Sequence, residues 1–433
     1  MSISVIILAA GQGTRMKSTT PKVLHKISGK SMLFHAIDAA LLVSNDVTVV
    51  LYHQAQRIQD EIEKSYEGIN FHMQDAKLYP GTGGALKGVK SKNERTLILN
   101  GDMPLITKES LEALTSGNAD INMSVIKLED PTGYGRVIIE DEKVLEIVEQ
   151  KDCSSSQLLT KSVNAGIYAV TTSLLEKYIP LLSNNNAQQE YYLTDIVKMA
   201  VDEAKVVNPV YVEEEEFKGV NSKLDLAKAE EIMQRRIKSK LMMSGVTMRL
   251  PETIYVDINA TFEGECIVEN GVSIEGACVI KNSHIKANSV VEDATLENSD
   301  IGPMARVRPN STLTNTHLGN FVEVKKSTLN GVKAGHLAYI GDAQIDEGSN
   351  IGAGVITCNY DGKNKYKTTI GKNVFVGSDS QLVAPLNIAD DVMIAAGTTV
   401  SKDVEQGYLA ISRTPIKLVK NFFYKFFGKN SAS

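Results

Sequence analysis

Along residues 1–221, short apolar runs alternate with amphipathic stretches. Val5–Ala9, Val47–Tyr52, Thr96–Leu99 and Ile121–Ile126 read as strands, and Ser31–Leu42 reads as a helix between two of them. Strand–helix alternation predicts a mostly parallel sheet covered on both faces, that is, a Rossmann-like α/β domain.

The texture then changes. From Ser222 to Ser244 the chain is rich in Lys, Glu, Ala, Leu and Met and lacks Pro and Gly. Leu226, Met233, Ile237 and Leu241 keep one apolar stripe, as a helix requires. At 1.5 Å per residue this arm between domains would be roughly 35 Å long.

Beyond it runs a six-residue rhythm. Ile370, Val376, Leu382, Ile388, Ile394 and Val400 follow one another at that interval, and Val268, Ile274 and Ile280 form an earlier run, with Ile345 and Ile351 a third. A small residue often follows the aliphatic one, as in Ile301-Gly302, Leu318-Gly319 and Ile351-Gly352. A period of six suits neither an amphipathic helix nor a plain alternating strand. It suits a left-handed parallel β-helix of hexapeptide repeats, each hexapeptide forming one flat side of a triangular coil. Three hexapeptides per coil leave room for roughly eight coils. The rhythm breaks at Cys358–Thr369, and an insertion in a solenoid emerges as a loop on one face, often the binding face. The division is therefore residues 1–221, a helix over 222–244, and a β-helix domain with a tail over 245–433.

Composition narrows the function. Lys and Arg number 46 against 52 Asp and Glu, a net charge of −6, and no basic tract offers nucleic acid a footprint. Small phosphorylated substrates need only a few placed cations. The four cysteines (Cys153, Cys266, Cys278, Cys358) are scattered without a CxxC pair, which fits isolated thiols and a cytoplasmic setting. The first apolar run has no basic segment before it and reads as a buried strand rather than a signal peptide. In the tail Ile416–Gly428, four of the ten phenylalanines (Phe422, Phe423, Phe426, Phe427) stand among Lys417, Lys420 and Lys425. Such a segment could rest on a membrane surface; packing on its own solenoid end or on a neighbouring subunit is the expectation preferred here.

Two stretches carry chemistry. The first strand runs into Gly11-Gln12-Gly13-Thr14-Arg15, with Lys22 following Pro21. Glycines there let backbone N–H groups approach phosphate oxygens, and Arg15 and Lys22 can neutralise charge. The strand Thr96–Leu99 leads to Asp102, a carboxylate at a strand's C-terminal end, suited to holding Mg²⁺ against a triphosphate. In the repeat domain, Lys333-Ala334-Gly335-His336-Leu337-Ala338-Tyr339 places one histidine among ligand-type residues. An imidazole can take a proton from an attacking amine.

The longer patterns LAAGQGTRM with PK, KAGH, SNIGAG and CNYDG resemble the bifunctional N-acetylglucosamine-1-phosphate uridyltransferase/glucosamine-1-phosphate N-acetyltransferase family over essentially the whole chain. The resemblance implies acetyl-CoA-dependent N-acetylation of glucosamine-1-phosphate, then uridylyl transfer from UTP with release of pyrophosphate. It implies a uridine nucleotide site of Leu8, Ala9, Ala10, Gly11, Lys22, Gln74, Gly81 and Thr82, with Arg15 and Lys22 assisting catalysis. Asp102 and Asn221 would hold Mg²⁺; Gly135, Glu149 and Asn164, with Asn221, would bind the sugar phosphate. In the second half His336 would be the general base, with Arg308, Lys325, Tyr339, Asn350 and Lys365 on the sugar phosphate. Ala353, Asn359, Tyr360, Ser378, Ala396 and Arg413 would line the acetyl-CoA site, and three copies would assemble through their β-helices. Asn100 departs from the aromatic residue that familiar members often carry before Gly-Asp, and bears on packing beside the nucleotide.

Two other readings remain open on the sequence. One is a nucleotidylyltransferase whose β-helix only assembles it, which Lys333–Tyr339 and the Cys358–Thr369 insertion oppose. The other is a non-catalytic assembly protein, which intact Gly11–Arg15, Lys22 and Asp102 oppose.

Overall fold

A computed structural model describes residues 2–186 and 188–428. Two compact units divide between Arg236 and Ile237.

The first unit is built from β1 (Ile3–Leu8), β2 (Lys26–Ile27), β3 (Lys30–Ser31), α1 (Met32–Leu41), β4 (Asp46–Leu51), α2 (Ala55–Glu63), β5 (Asn70–Met73), β6 (Arg95–Asn100) and α3 (Lys108–Thr115). It continues with β7 (Ile121–Lys127), β8 (Arg136–Glu140), β9 (Lys143–Val148), β10 (Ser162–Thr171), α4 (Thr172–Tyr178), α5 (Asp195–Asp202), β11 (Val207–Tyr211), α6 (Glu214–Phe217) and the start of α7 (Lys223–Met243). The four sequence-predicted strands and the first helix fall on β1, β4, β6, β7 and α1 within two residues. Along the main sheet path β11-β7-β10-β6-β1-β4-β5, the pairs β1–β4, β1–β6, β4–β5 and β11–β7 are parallel. β10 runs antiparallel between β6 and β7. It also meets the hairpin β8–β9, which apolar alternation alone did not announce. Central strands read as continuous apolar runs because both their faces are buried: Val5, Ile7, Leu97 and Leu99 on one face and Ile6, Val50 and Ile98 on the other are at most 2% exposed.

Helix α7 spans the division between the units. Within the first unit its Glu230 carboxylate accepts the backbone N–H of buried Ser28 at 2.9 Å and its hydroxyl at 2.7 Å. Within the second, Lys238 donates to the carbonyls of Pro251 and Ile254 at 2.6 and 2.8 Å.

The second unit is a left-handed β-helix of three parallel sheets with ten, nine and eight strands. Its register explains the rhythm. Ile280, Leu296, Leu313, Leu329, Ile345, Ile370 and Ile388 stack one per coil on one side. Ile285, Ile301, Leu318, Ala334, Ile351, Val376 and Ile394 stack on the next. All lie in one continuous core and are at most 2% exposed. Successive members of the six-residue series therefore occupy successive sides of the prism. The Cys358–Thr369 insertion leaves between the strands Ile356–Cys358 and Thr368–Ile370 as an exposed loop, closed by a bridge between Tyr360 and Lys365.

The tail does not pack on its own solenoid. Ile416 and Leu418 are 87% and 89% exposed, and Phe422, Phe423, Phe426 and Phe427 are all more than half exposed. The prism interior is already filled to Ile394 and Val400, so the phenylalanines pack on one another instead. Among the described residues no helix is long and apolar enough to cross a membrane.

Candidate active sites

At the C-terminal ends of β1, β4 and β6 the first unit opens into a cavity of about 670 Å³. Parallel strands end there with their loops diverging, the usual ligand position in such sheets. Leu8, Ala9, Ala10, Gly11, Lys22, Gln74, Gly81, Thr82, Asp102, Asn164 and Asn221 all line it.

The loop after β1 is shaped by its glycines. Gly13 has φ +62°, and a Cβ there would stand 2.5 Å from Lys22 Cβ; only glycine lets the two segments close. A Cβ on Gly11 would meet nothing within 4 Å, so the cavity approaches bare backbone, as phosphate binding requires. Arg15 differs from its neighbours: its side chain is exposed, outside the residues lining the cavity.

Lys22 spans two acceptors. Its ammonium is ion-paired with Asp102 and donates to Asn221 Oδ1 at 3.0 Å. Val220 N–H donates to the Asp102 carbonyl at 2.9 Å, which brings Gly219–Asn221 to the end of β6. Asp225 fixes this turn by accepting from the backbone N–H groups of Asn221 and Ser222 at 3.2 and 2.9 Å. Partial burial opposes its ionisation, but hydrogen bonds from Ser222 and Asn221 outweigh that and hold its carboxyl below the usual range.

Gln74 shapes the opposite wall, donating to the carbonyls of Tyr79 and Gly81 at 2.9 and 3.2 Å. Gly81 (φ +90°) and Gly84 leave no room for side chains, since added Cβ atoms would lie 2.7 Å from the Tyr191 carbonyl and 2.1 Å from the Tyr79 carbonyl. Asn100 donates to the Gly166 carbonyl at 3.1 Å, and Asn164 Oδ1 accepts from Gly166 N–H at 2.9 Å. The residue that departs from the aromatic pattern thus braces the Asn164–Gly166 turn. Gly135 and Glu149 adjoin that turn rather than the cavity lining. Asn164 N–H donates to the Gly135 carbonyl at 3.1 Å, and a Cβ on Gly135 would lie 3.4 Å from Glu149 Oε1. Burial first, then Asp152 and Asp195, push the Glu149 carboxyl above its ordinary range.

The second unit gathers its candidates on adjacent sides of the prism. His336 ends the strand Lys333–His336, opposite Asn320, with an exposed side chain. The chain turns immediately, Leu337 having φ +50°, and Tyr339 opens the next side. There Tyr339 pairs with Glu323, which accepts from Arg308 at 2.9 Å. Lys325 faces Asp342 at 3.4 Å, and Asp342 also accepts from the Asn359 amide. The neighbouring Lys325 ammonium pushes Lys365 below the usual lysine range. Two cations held side by side are a place for an anion. Asn350 pairs with Lys333 one coil along from His336.

Ala353, Ser378 and Ala396 form a column, one residue per coil: Asp379 N–H donates to the Ala353 carbonyl and Gly397 N–H to the Ser378 carbonyl, both at 2.8 Å. Arg413 reaches the Ala396 carbonyl at 3.4 Å. Tyr360 stands in the exposed insertion. Sequence reasoning passed over Asp225, Glu323 and Asp342, ordinary acids whose contacts exist only after folding, and Tyr52, which follows β4 and lines the cavity.

Residues 5–152 match the MobA-like NTP transferase domain family. A "Bifunctional protein GlmU" of a Sulfurovum species is 77% identical over 428 residues, covering 99% of this chain and 100% of that protein. Those of a Nitratiruptor species and of Aliarcobacter butzleri are each 60% identical, over 430 and 425 residues. They cover 99% and 98% of this chain, and 100% and 98% of their own length.

Proposed function

The chain belongs to the GlmU family of bifunctional proteins, and from that premise we propose which of its residues perform each of two reactions. It is a bifunctional transferase: acetyl-CoA acetylates the amine of glucosamine-1-phosphate, and the product takes a uridylyl group from UTP to give UDP-N-acetylglucosamine and pyrophosphate. The observation that carries the first assignment is the convergence of Gly11, Lys22, Asp102 and Asn221 on one cavity.

In uridylyl transfer a phosphate oxygen of the sugar attacks the α-phosphorus of UTP while pyrophosphate departs on the far side. No covalent enzyme intermediate is needed, so the protein positions and neutralises. Gly11 offers backbone to the phosphates, Lys22 meets the growing negative charge, and Gln74, Gly81 and Thr82 form the wall against the base. Asn164, with Gly135 and Glu149 behind it, receives the sugar. Arg15, exposed at the loop, would have to swing inward to share the charge.

The residues fit a divalent cation. Asp102 and Asn221 already hold a cation between them, the Lys22 ammonium, and a carboxylate with an amide oxygen is the hard-oxygen donor set Mg²⁺ prefers. Among the described residues no three His, Cys, Asp or Glu cluster as a metal cage, which leaves phosphates and waters to complete the shell. Mg²⁺ bound there would supply Lewis-acid neutralisation of the triphosphate. Were a cation held there, the Lys22 ammonium would be released from this pair and free to meet the phosphates.

In acetyl transfer the amine nitrogen attacks the thioester carbonyl, a C–N bond replaces the C–S bond, and coenzyme A departs as the thiol. His336 takes the proton that the nitrogen sheds and passes it to the departing sulfur. Lys325 and Lys365 bind the sugar phosphate with Arg308, Tyr339 and Asn350, and the Ala353–Ser378–Ala396 column with Asn359, Tyr360 and Arg413 accepts the coenzyme. His336, Tyr360, Lys365, Ser378, Ala396 and Arg413 lie exposed on a single chain, which supports a homotrimer in which a neighbouring β-helix covers them. The four free cysteines support work in a reducing cytoplasm.

The test incubates the protein with glucosamine-1-phosphate, acetyl-CoA, UTP and Mg²⁺ and follows free thiol and pyrophosphate separately. Thiol without pyrophosphate, or pyrophosphate only from ready-made N-acetylglucosamine-1-phosphate, would reduce the chain to one of the two activities.

A further inference from the structure

Beyond Arg413, residues 416–428 carry none of the groups assigned to either reaction, and their chemistry points outward. From Gln406 onward the chain carries Arg413, Lys417, Lys420, Lys425 and Lys429 and not one acidic residue, whereas the whole chain has a net charge of −6. Within this basic stretch Val419, Phe422, Phe423, Phe426 and Phe427 are each 56–68% exposed. The rings cluster among themselves, Phe422 stacking on Phe426 at 5.8 Å and Phe423 meeting Phe427 at 4.7 Å. Phe422–Phe426 already forms a short helix. At helical spacing the four phenylalanines share an arc of about 140°, with Lys425 on the other side.

We propose that residues 416–428 are a membrane-interface segment that seats this face in an anionic phospholipid surface. Three observations select that occupant. Charge is complementary to an anionic leaflet throughout, with no acid to repel it. The cations flanking the face are lysines, which are depleted at protein interfaces but suit a bilayer surface, where their stems lie along apolar ground and their heads reach water. Phenylalanine and leucine beside lysine is the composition of helices that lie in the interfacial plane. The segment is too short to span, so it holds the protein reversibly at the surface and leaves both catalytic units in water.

Full-length protein is sedimented with vesicles of phosphatidylglycerol mixed with phosphatidylcholine, and with vesicles of phosphatidylcholine alone. Co-sedimentation with the anionic vesicles, weakened by salt, is expected. Lys417→Gln, Lys420→Gln and Lys425→Gln together should lower partitioning about a hundredfold, since each cation is worth roughly fivefold at such a surface. Phe422→Ser, Phe423→Ser, Phe426→Ser and Phe427→Ser together should abolish it, with thiol and pyrophosphate release retained as proof of folding. Failure of the parent to bind, equal binding to neutral vesicles, or binding unchanged by the serine variant each overturns the proposal. So does a fall in the oligomeric mass of the serine variant by analytical ultracentrifugation without lipid, which would give the face to a second copy of the chain.

Discussion

At the scale of single residues the two halves make separable demands. Asp102→Ala removes the carboxylate that pairs with Lys22; pyrophosphate release should vanish while thiol release from acetyl-CoA stays near parental. Unchanged pyrophosphate release would take Asp102 out of the site. His336→Ala should lower the acetyl-transfer kcat about 10²–10⁴-fold, the usual worth of a positioned base. Apparent affinity for acetyl-CoA should hardly change, and a loss under about tenfold would return His336 to a structural role. Glu149 gives a pH signature. Burial, then Asp152 and Asp195, raise its carboxyl, so the ionised form is disfavoured in the fold. That penalty is present above the raised pKa and fades as pH falls through it. Glu149→Gln should therefore raise Tm at neutral pH, with the gain shrinking on acidification. Meanwhile the KM for N-acetylglucosamine-1-phosphate should lose its acid-side dependence. A Tm gain that persists unchanged into acid would contradict this.

Among elements, the coils were the most legible, because each inward position sits on one side of a prism and six residues return the chain to the next side. Alternation likewise marked β1, β4, β6 and β7. What stayed hidden was long-range pairing: nothing local in Ser162–Thr171 says that it runs antiparallel between β6 and β7. Nor does any spacing say that Lys22 meets Asn221, 199 positions away; only resemblance joined them. The Ala353–Ser378–Ala396 column was hidden for a related reason. The insertion stretches one coil, so equivalent corners are not evenly spaced in sequence. That column depends on close backbone approach, since a Cβ on Gly377 would lie 2.5 Å from the Ala396 amide nitrogen. Gly377→Ala should force these coils apart, costing about 1–3 kcal/mol and raising the KM for acetyl-CoA, with uridylyl transfer untouched. An unaltered KM would free the column from coenzyme binding.

For the whole molecule, a net charge of −6 with no dominating basic tract suits small anionic substrates, for which Lys22, Lys325 and Lys365 are the proposed partners. Separate units also predict separable fragments. Residues 1–236 should be monomeric and retain uridylyl transfer, and residues 245–433 should form trimers in sedimentation. A fragment ending at 221 should be less stable than one ending at 236. It loses Glu230, and a buried donor left unpaired at Ser28 costs about 1–3 kcal/mol. Equal Tm values for the two would argue against that contact. In the second unit each strand pairs only with the coil before and the coil after, so the array has two ends and no closing seam. Opening in such a stack spreads inward from its termini, where each coil has only one neighbour. Hydrogen–deuterium exchange should therefore fray the coils near Thr247 and Ala410 first. The strand bearing His336 is sixth of ten on its side, where amide protons should exchange last.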